Sequence, residues 1–393
     1  MRIVLSIVFV AVSLGFLAGI HVYLWRRLVR DSSFPAAWRR RLTGVLCALG
    51  ASLVVAFVVG RYLSFGLGRI ASWPAFLWLG VLFYALLSLL VIDVVRLAKY
   101  GVDRARRQSA APADPQRRAF MARVTGGAAV AVAAGTAGVG VASALGEIEI
   151  VEVSIPMKRL PKAMDGFVIA QLTDLHAGFT LARPYVQGVV DRINTINADL
   201  IAVTGDLIDG VPHLLAPELA PLDALAAPHG VYFVTGNHEY LFDADAWVAE
   251  YRRLGMRVLR NERVEIRRGD AVFDLAGIED YDAKRLSKTH APDLAKAVAG
   301  RDHRRALVLL AHQPRQVRSA RKHDVDLQLS GHTHGGQIWP WHYLVALQQG
   351  GLLAGLARRG DTWVYTSRGC GYWGPPLRVG AAPEITKVVL RAA

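Results

Sequence analysis

Cysteine is almost absent from this chain: Cys47 and Cys370 are the only two among 393 residues. Cys47 lies inside a long apolar stretch and Cys370 in a glycine-rich turn, where packing is its role. The two have no ready way to meet, so no disulfide is implied even in an oxidising compartment. Charge is also missing over three stretches. Residues 3–25, 42–60 and 73–95 carry almost no charge in their interiors, Asp93 near the end of the third being the exception. Each is about the length that crosses a bilayer, and three in succession would swamp a soluble core. No internal repeat and no long low-complexity tract occurs, and no basic stripe interleaved with stacking aromatics marks the C-terminal part. Nucleic-acid binding therefore has no footprint here.

A fourth stretch, 124–145, is weaker and built mostly of Ala, Gly and Val. Just before it stands Arg117-Arg118-Ala119-Phe120-Met121, which is similar to a twin-arginine export signal, although paired arginines also mark the cytoplasmic end of any membrane helix. The net charge of +14 is concentrated in the first part. Residues 1–150 hold 17 basic and 6 acidic residues, leaving 29 and 26 for the rest. Arg26, Arg27, Arg30, Arg39, Arg40 and Arg41 lie between the first and second stretches. Arg96, Lys99, Arg104, Arg106, Arg107, Arg117, Arg118 and Arg123 lie between the third and fourth, and only Arg61 and Arg69 between the second and third. The positive-inside rule puts the two basic loops in the cytoplasm. Four spans then leave the C-terminal domain on the outer face of what reads as a bacterial cytoplasmic membrane. The composition changes near Gly146, which divides the chain into a transmembrane region, 1–146, and a second domain, 147–393. Ala142-Ser143-Ala144 also resembles a signal-peptidase site, whose use would release that domain.

The second domain carries five short blocks rich in Asp, Asn and His: Asp174-Leu175-His176, Gly205-Asp206-Leu207-Ile208-Asp209, Gly236-Asn237-His238-Glu239, Ala311-His312 and Gly331-His332-Thr333-His334. Each follows an apolar run of strand length: Phe167 to Leu172, Leu200 to Thr204, Val231 to Thr235, Ala306 to Leu310 and Leu327 to Leu329. Such runs read as strands buried on both faces. Ligands gather at the carboxyl ends of strands in open α/β sheets, so one edge of one sheet can collect every block. Imidazole and carboxylate donors without thiolates suit Mn, Fe or Zn. The donor count fits two ions. Asp174, His176, Asp206 and His334 would hold one; Asp206, Asn237, His312 and His332 would hold the other, with Asp206 bridging through its two oxygens. Paired ions generate a hydroxide nucleophile and clamp the oxygens of an in-line displacement at phosphorus.

In this order the blocks resemble the signature of the calcineurin-like metallophosphoesterases, D-x-H, G-D-x-x-D, G-N-H-[DE], H and G-H-x-H. The likeness runs from 166 to about 337, with a family-like tail through Gly369-Cys370-Gly371-Tyr372-Trp373-Gly374-Pro375-Pro376-Leu377-Arg378. It implies an α/β fold, two mixed β-sheets in a sandwich flanked by helices, here preceded by an all-α transmembrane region. It also implies that His238 donates a proton to the leaving oxygen or stabilises charge there, with Asp209 orienting its imidazole and Asn237 assisting. A histidine near its working pKa is an efficient donor when a carboxylate fixes its tautomer. The family's protein Ser/Thr phosphatases carry Arg before G-N-H and D-R-G after the second block. Thr235 and Asp209-Gly210-Val211 stand there instead, which speaks against a phosphoprotein substrate. The run from Gly331 to Ile338 resembles membrane-associated bacterial phosphoesterases.

The intervening segments supply the frame. Residues 184–196 place Val186, Val189, Val190, Ile193 and Ile196 on one helical face, with Pro184 in the first turn. Residues 244–254 follow Asp243, an N-cap. Arg268-Gly269-Asp270 joins two strand-like runs as a hairpin, and Ile148 to Ile155 alternates as a first strand. The remaining histidines, His213, His229, His290, His303, His323 and His342, belong to no block and read as solvated. Trp339-Pro340-Trp341-His342-Tyr343 leads into the apolar stretch 344–356, which is either a buried lid or core helix or an interfacial dock. The substrate class is a phosphoester, with monoester, diester and pyrophosphate all open; an outer location favours a phospholipid or glycolipid phosphate. The rival reading is a non-enzymatic membrane protein with a metal-stabilised binding head.

Overall fold

The computed structural model describes the backbone of residues 2–62, 64–106 and 114–393, and the side chains of these apart from 2–7, 9 and 57–62. Arg107, the side chain of Arg61, and parts of the first two apolar stretches lie outside the described residues. The chain divides into two compact units, Met1–Val139 and Gly140–Ala393.

The first unit is helical: α1 (Arg2–Trp25), α2 (Ala36–Tyr62), α3 (Phe65–Ala105) and α4 (Pro115–Ala144), whose last residues enter the second unit. Among the described residues, α3 and α4 are long and apolar enough to cross a membrane. The helices overrun the apolar stretches that mark them. Arg96, Lys99 and Arg104 were expected in a loop but extend α3, because straight-chain cations are good helix formers and nothing interrupts the backbone ladder. Arg27 reaches Asp93 at 2.8 Å and Arg123 donates to the Ser32 carbonyl at 2.7 Å. These links gather the turn after α1, the region of α3 near residue 93 and the start of α4 at one end of the unit.

The second unit holds twelve strands: β1 (Glu149–Met157), β2 (Val168–Leu172), β3 (Leu200–Val203), β4 (Val231–Phe233), β5 (Arg257–Val258), β6 (Glu262–Arg268), β7 (Ala271–Gly277), β8 (Leu307–Leu310), β9 (Leu327–Ser330), β10 (Gly355–Arg359), β11 (Thr362–Thr366) and β12 (Glu384–Ala392). They form two six-stranded sheets, ordered β1-β12-β2-β3-β4-β5 and β10-β11-β9-β8-β7-β6. Both are mixed. β12 runs antiparallel to β2 in the first, while β6 and β10 are antiparallel edge strands of the second. The β6–β7 hairpin turns at Gly269, which adopts φ +58.

Phe167, Ile169 and Leu200, with Phe273, Leu275, Val308, Leu310, Leu327 and Leu329, share one core cluster, so residues of both sheets face a common interior. Alternate residues Leu307 and Leu309 belong to a second cluster with Val317 and Ala320, which buries the other face of β8. This period-two division explains why the strands read as continuous apolar runs. The blocks are therefore not gathered by one sheet, as the strand-end argument alone had it. Three follow β2, β3 and β4 of the first sheet, and two follow β8 and β9 of the second.

Helix α5 (Arg183–Asn194) buries Val186, Val189, Val190 and Ile193, with Pro184 in its first turn; Ile196 falls just beyond its end. After α6 (Pro212–Leu219) and α7 (Asn237–Leu241), helix α8 (Ala244–Arg253) is capped by Asp243, whose carboxylate accepts from the Ala246 N–H at 3.2 Å. Phe273 meets Phe167 edge-on, ring centres 5.2 Å apart. Truncating this fully buried ring, Phe273→Ala, should cost about 3–5 kcal/mol. A fall in the urea midpoint of the catalytic-unit transition, followed by near-ultraviolet circular dichroism, checks this.

Candidate metal centre

The loops leaving β2, β3 and β9 turn sharply. Asp174, His176, Asp206, His332 and His334 all adopt φ between +47 and +70. L-residues rarely occupy this region, and each such residue costs of order 1–2 kcal/mol. The neighbouring glycines show how closely the loops approach. A Cβ on Gly236 would stand 2.1 Å from Asp206 Oδ1, and one on Gly331 would stand 2.1 Å from Asp174 Oδ2.

The bent loops bring the donor atoms together in two overlapping sets. His334 Nε2 lies 3.0 Å from His176 Nε2 and 3.4 Å from Asp174 Oδ1. His176 Nε2 is 3.9 Å from both Asp174 Oδ1 and Asp206 Oδ2. In the second set, His312 Nε2 is 3.1 Å from Asp206 Oδ2 and 3.2 Å from His332 Nδ1. Among the described residues these atoms form the metal-competent groups Asp174, His176, His334 and Asp206, His312, His332; His238 also falls with His176 and Asp206. Asp206 Oδ2 faces both sets, whereas Oδ1 accepts the His238 N–H at 2.8 Å. A shared contact would thus run through one carboxylate oxygen, where the residue type alone suggested two.

The donor chemistry fits divalent cations. His312 Nδ1 donates to the Thr204 carbonyl at 2.7 Å, and His176 Nδ1 donates to Asp209 Oδ1 at 2.8 Å, which orients each ring with Nε2 toward the carboxylates. Asn237 Oδ1 is buried with no hydrogen-bond partner, which cation coordination would supply. Burial, foremost, and the neighbouring His312 push the His332 imidazole down to about 3; burial and His176 depress His334 strongly. Both rings are therefore neutral, as ligands must be. Burial raises the Asp174 carboxyl, and the charge of Asp206 adds to this against the attraction of His312 and His176. A cation between the carboxylates would relieve that cost.

Asp209 Oδ1 also accepts from His238 Nδ1 at 2.6 Å. Burial works to raise the Asp209 carboxyl, but His176 and His238 outweigh it and hold it at about 2. Burial works to lower His238; Asp206 and Asp209 prevail and raise it to about 9. The Asp209–His238 pair named from the blocks is in contact, and its sharing with His176 was not foreseen.

Several residues in or near the blocks had no assigned role. The buried Glu239 carboxylate accepts from the N–H groups of Asp206 (3.1 Å), Leu207 (3.0 Å) and Gly236 (2.7 Å) and from the Tyr251 hydroxyl (3.1 Å). It clamps the loop of Asp206 to that of Asn237. Its position as third residue of α7 was the available signal, since glutamate there caps the backbone. Asp280, beyond β7, is fully buried with Oδ2 unpartnered, and burial pushes it up to about 7.

Arg378 is fully buried. Its guanidinium donates to the carbonyls of Gly371 (2.8 Å), Arg368 (2.9 Å), Ala381 (3.1 Å), Gly369 (3.1 Å) and His334 (3.3 Å). It therefore ties the C-terminal loop to the backbone of His334. His290, read as solvated, is half-buried 3.6 Å from Asp245, and His229 packs against Phe167, ring centres 5.2 Å apart. Both are drawn in by neighbours distant in sequence. Cys370 is fully buried, and burial raises its thiol to about 12.

The family described as "Calcineurin-like phosphoesterase" matches residues 167–336. A zebrafish (Danio rerio) protein named "Transmembrane protein with metallophosphoesterase domain" is 31% identical over 95% of this chain and 86% of its own length. An "Uncharacterized metallophosphoesterase" of Helicobacter pylori is 39% identical over 60% of this chain and 62% of its own. Relatives are thus vertebrate as well as bacterial, wider than the bacterial likeness drawn from the motifs. Among solved structures, a dimetal phosphatase from Danio rerio is similar at 13% identity and TM-score 0.38, over 58% of this chain and 93% of that one.

Replacing Arg378 by Met should weaken Mn binding about 10–100-fold, because the loop that seats His334 loses its anchor. Thermal-shift titration of the full chain with Mn reads the affinity, and an unchanged affinity contradicts this.

Proposed function

Since the chain belongs to the calcineurin-like metallophosphoesterases, which makes it a metal-dependent phosphoester hydrolase, we propose that it works as a membrane-anchored dinuclear enzyme on a lipid-linked phosphoester. The observation that carries the reading is the convergence of six donor residues from four strand-end loops, with Asp206 Oδ2 common to both sets. Asp174, His176, Asp206 and His334 would hold one ion; Asp206, Asn237, His312 and His332 would hold the other. Two divalent ions of the Mn, Fe or Zn class supply activation of water and neutralisation of charge on the phosphoryl oxygens.

The protein's own part is positioning and proton delivery. His238 has Nδ1 fixed on Asp209 at 2.6 Å, a carboxylate contact that favours its protonated form. Its Nε2 is left to protonate the departing oxygen. Because Asp209 also holds His176, the proton donor and a metal ligand are fixed by one carboxylate. Glu239 and Arg378 hold the loops in register at either side.

Membrane attachment is supported by two helices of sufficient length and hydropathy and by the transmembrane zebrafish relative. The arginine asymmetry favours a multi-pass arrangement in a bacterial cytoplasmic membrane with the catalytic unit outside. That location favours phospholipid or glycolipid phosphates. The rival reading as a non-enzymatic binding head loses ground to the family membership.

The full chain with added Mn should hydrolyse a chromogenic phosphodiester. Asp206→Asn should abolish measurable turnover, and His238→Ala should lower kcat by roughly 10²–10⁴-fold while Mn binding persists. Equal rates in all three proteins sink the mechanism. Exhaustive chelation should remove activity and lower the Tm, both restored by Mn; a Tm indifferent to chelation speaks against the buried cation sites.

A further inference from the structure

The geometry points to a bilayer-docking surface on the catalytic unit itself, formed by Trp339, Trp341, Tyr343, Leu344 and Leu347 and continued by Trp373 at the mouth of the metal centre. The helix His342–Gln348 has no buried residue. Leu347 is 80% exposed, Tyr343 66% and Leu344 56%, with Trp339, Trp341 and Trp373 each about half exposed. Residues 343, 344 and 347 share one helical face. The sequence left open a buried lid or core helix here; Gly350 and Gly351, both at positive φ, end the helix early, and the described residues leave it unburied.

A bilayer is the occupant because of where the end of α4 is seated. Residues 124–146 carry no charge, and about 20 such residues cross a hydrocarbon core. Gly140 is six residues before Gly146, so it sits roughly 9 Å short of the end of that run. Its carbonyl accepts the Arg378 N–H at 2.9 Å, and a Cβ on it would meet Val379 at 3.0 Å and Leu377 at 3.2 Å. Val379 in turn donates to the Gln337 carbonyl at 2.8 Å and accepts from the Trp339 N–H at 3.1 Å. The aromatic segment is therefore two backbone pairings, roughly 10 Å, from a residue of that uncharged run. Exposed Trp and Tyr at that level match the interfacial preference of these side chains.

The same seat reaches the metal centre. Ala144 is buried with Leu181 and Tyr372, and the next residue, Trp373, stands 6.2 Å from the His238 ring, centre to centre. Gln337 holds this residue by accepting the Trp373 N–H at 3.0 Å and donating to its carbonyl at 2.8 Å. One loop thus joins the membrane-level surface to the proton donor. A phosphoester whose acyl chains stay in the bilayer can present its headgroup at this mouth. That last step rests on the proposed phosphoesterase reading; the docking does not.

The test reconstitutes the full chain, with Cys47→Ala, in nanodiscs of phosphatidylcholine and phosphatidylglycerol. Nitroxides are placed at Leu347→Cys, Tyr343→Cys and, as a control, Arg304→Cys, whose native side chain is 90% exposed. Positions 343 and 347 should be relaxed several-fold more strongly by oxygen than by a water-soluble nickel chelate, and position 304 the reverse. Preferential relaxation by the chelate at 343 and 347 overturns the proposal. So does shielding accompanied by dipolar broadening between chains, which would mean that a second copy covers the surface. In parallel, W339S/W341S/L344S/L347S should lose about 10-fold in rate on a disc-borne phosphoester and keep its rate on a soluble phosphodiester. Inserted labels in a protein that hydrolyses neither substrate would uphold the docking and defeat the functional reading.

Discussion

Two imidazole Nε2 atoms 3.0 Å apart, beside the buried carboxylates of Asp174 and Asp206, are the constraint on which the second unit is built. Lone pairs and negative charge do not gather in a dry interior without a cation to bind. The remaining features serve to hold them there. Five donors sit on left-handed backbone, Gly236 and Gly331 give the carboxylates room, and Glu239 ties two loops through three backbone N–H groups. Arg378 holds the backbone of His334 and the loop 368–381 together by filling a nest of carbonyls. Strain at a site of this kind persists only when its surroundings over-determine it.

Much of this was legible beforehand because it is local. A strand buried on both faces followed by a short polar block is a statement about adjacent residues, and β2, β3, β4, β8 and β9 each end within a few residues of their expected limits. The α5 face, the Asp243 cap and the β6–β7 hairpin are local in the same sense. What was not legible depends on pairing at a distance. Division of the blocks between two sheets needs the order of β7, β8 and β9 against β11, which no periodicity encodes. The use of a single Asp206 oxygen depends on the His238 N–H claiming the other. Arg378 was visible as part of a tail motif, but its burial without a carboxylate partner follows from the fold of residues 368–381 around it.

The helical unit and the catalytic unit bear on one question from opposite ends. In the proposed arrangement, arginine asymmetry would set the side of the membrane and the seat of Gly140 on Leu377 and Val379 the depth. Both bear on substrate choice, since an active-site mouth at headgroup level meets a substrate confined to two dimensions. On that proposal chemistry and address would act through the same loop, because the residues between Gly369 and Arg378 border the candidate metal ligands and the aromatic surface alike.

The central claim is that the two donor sets hold two ions at once through Asp206. Its most direct test is metal stoichiometry: the full chain, purified, saturated with Mn and freed of excess by gel filtration, is analysed by mass spectrometry of the bound metal. The account predicts two ions per chain, with Asp206→Asn retaining fewer. A saturated protein that holds one ion or none, or an Asp206→Asn variant that still holds two, contradicts it.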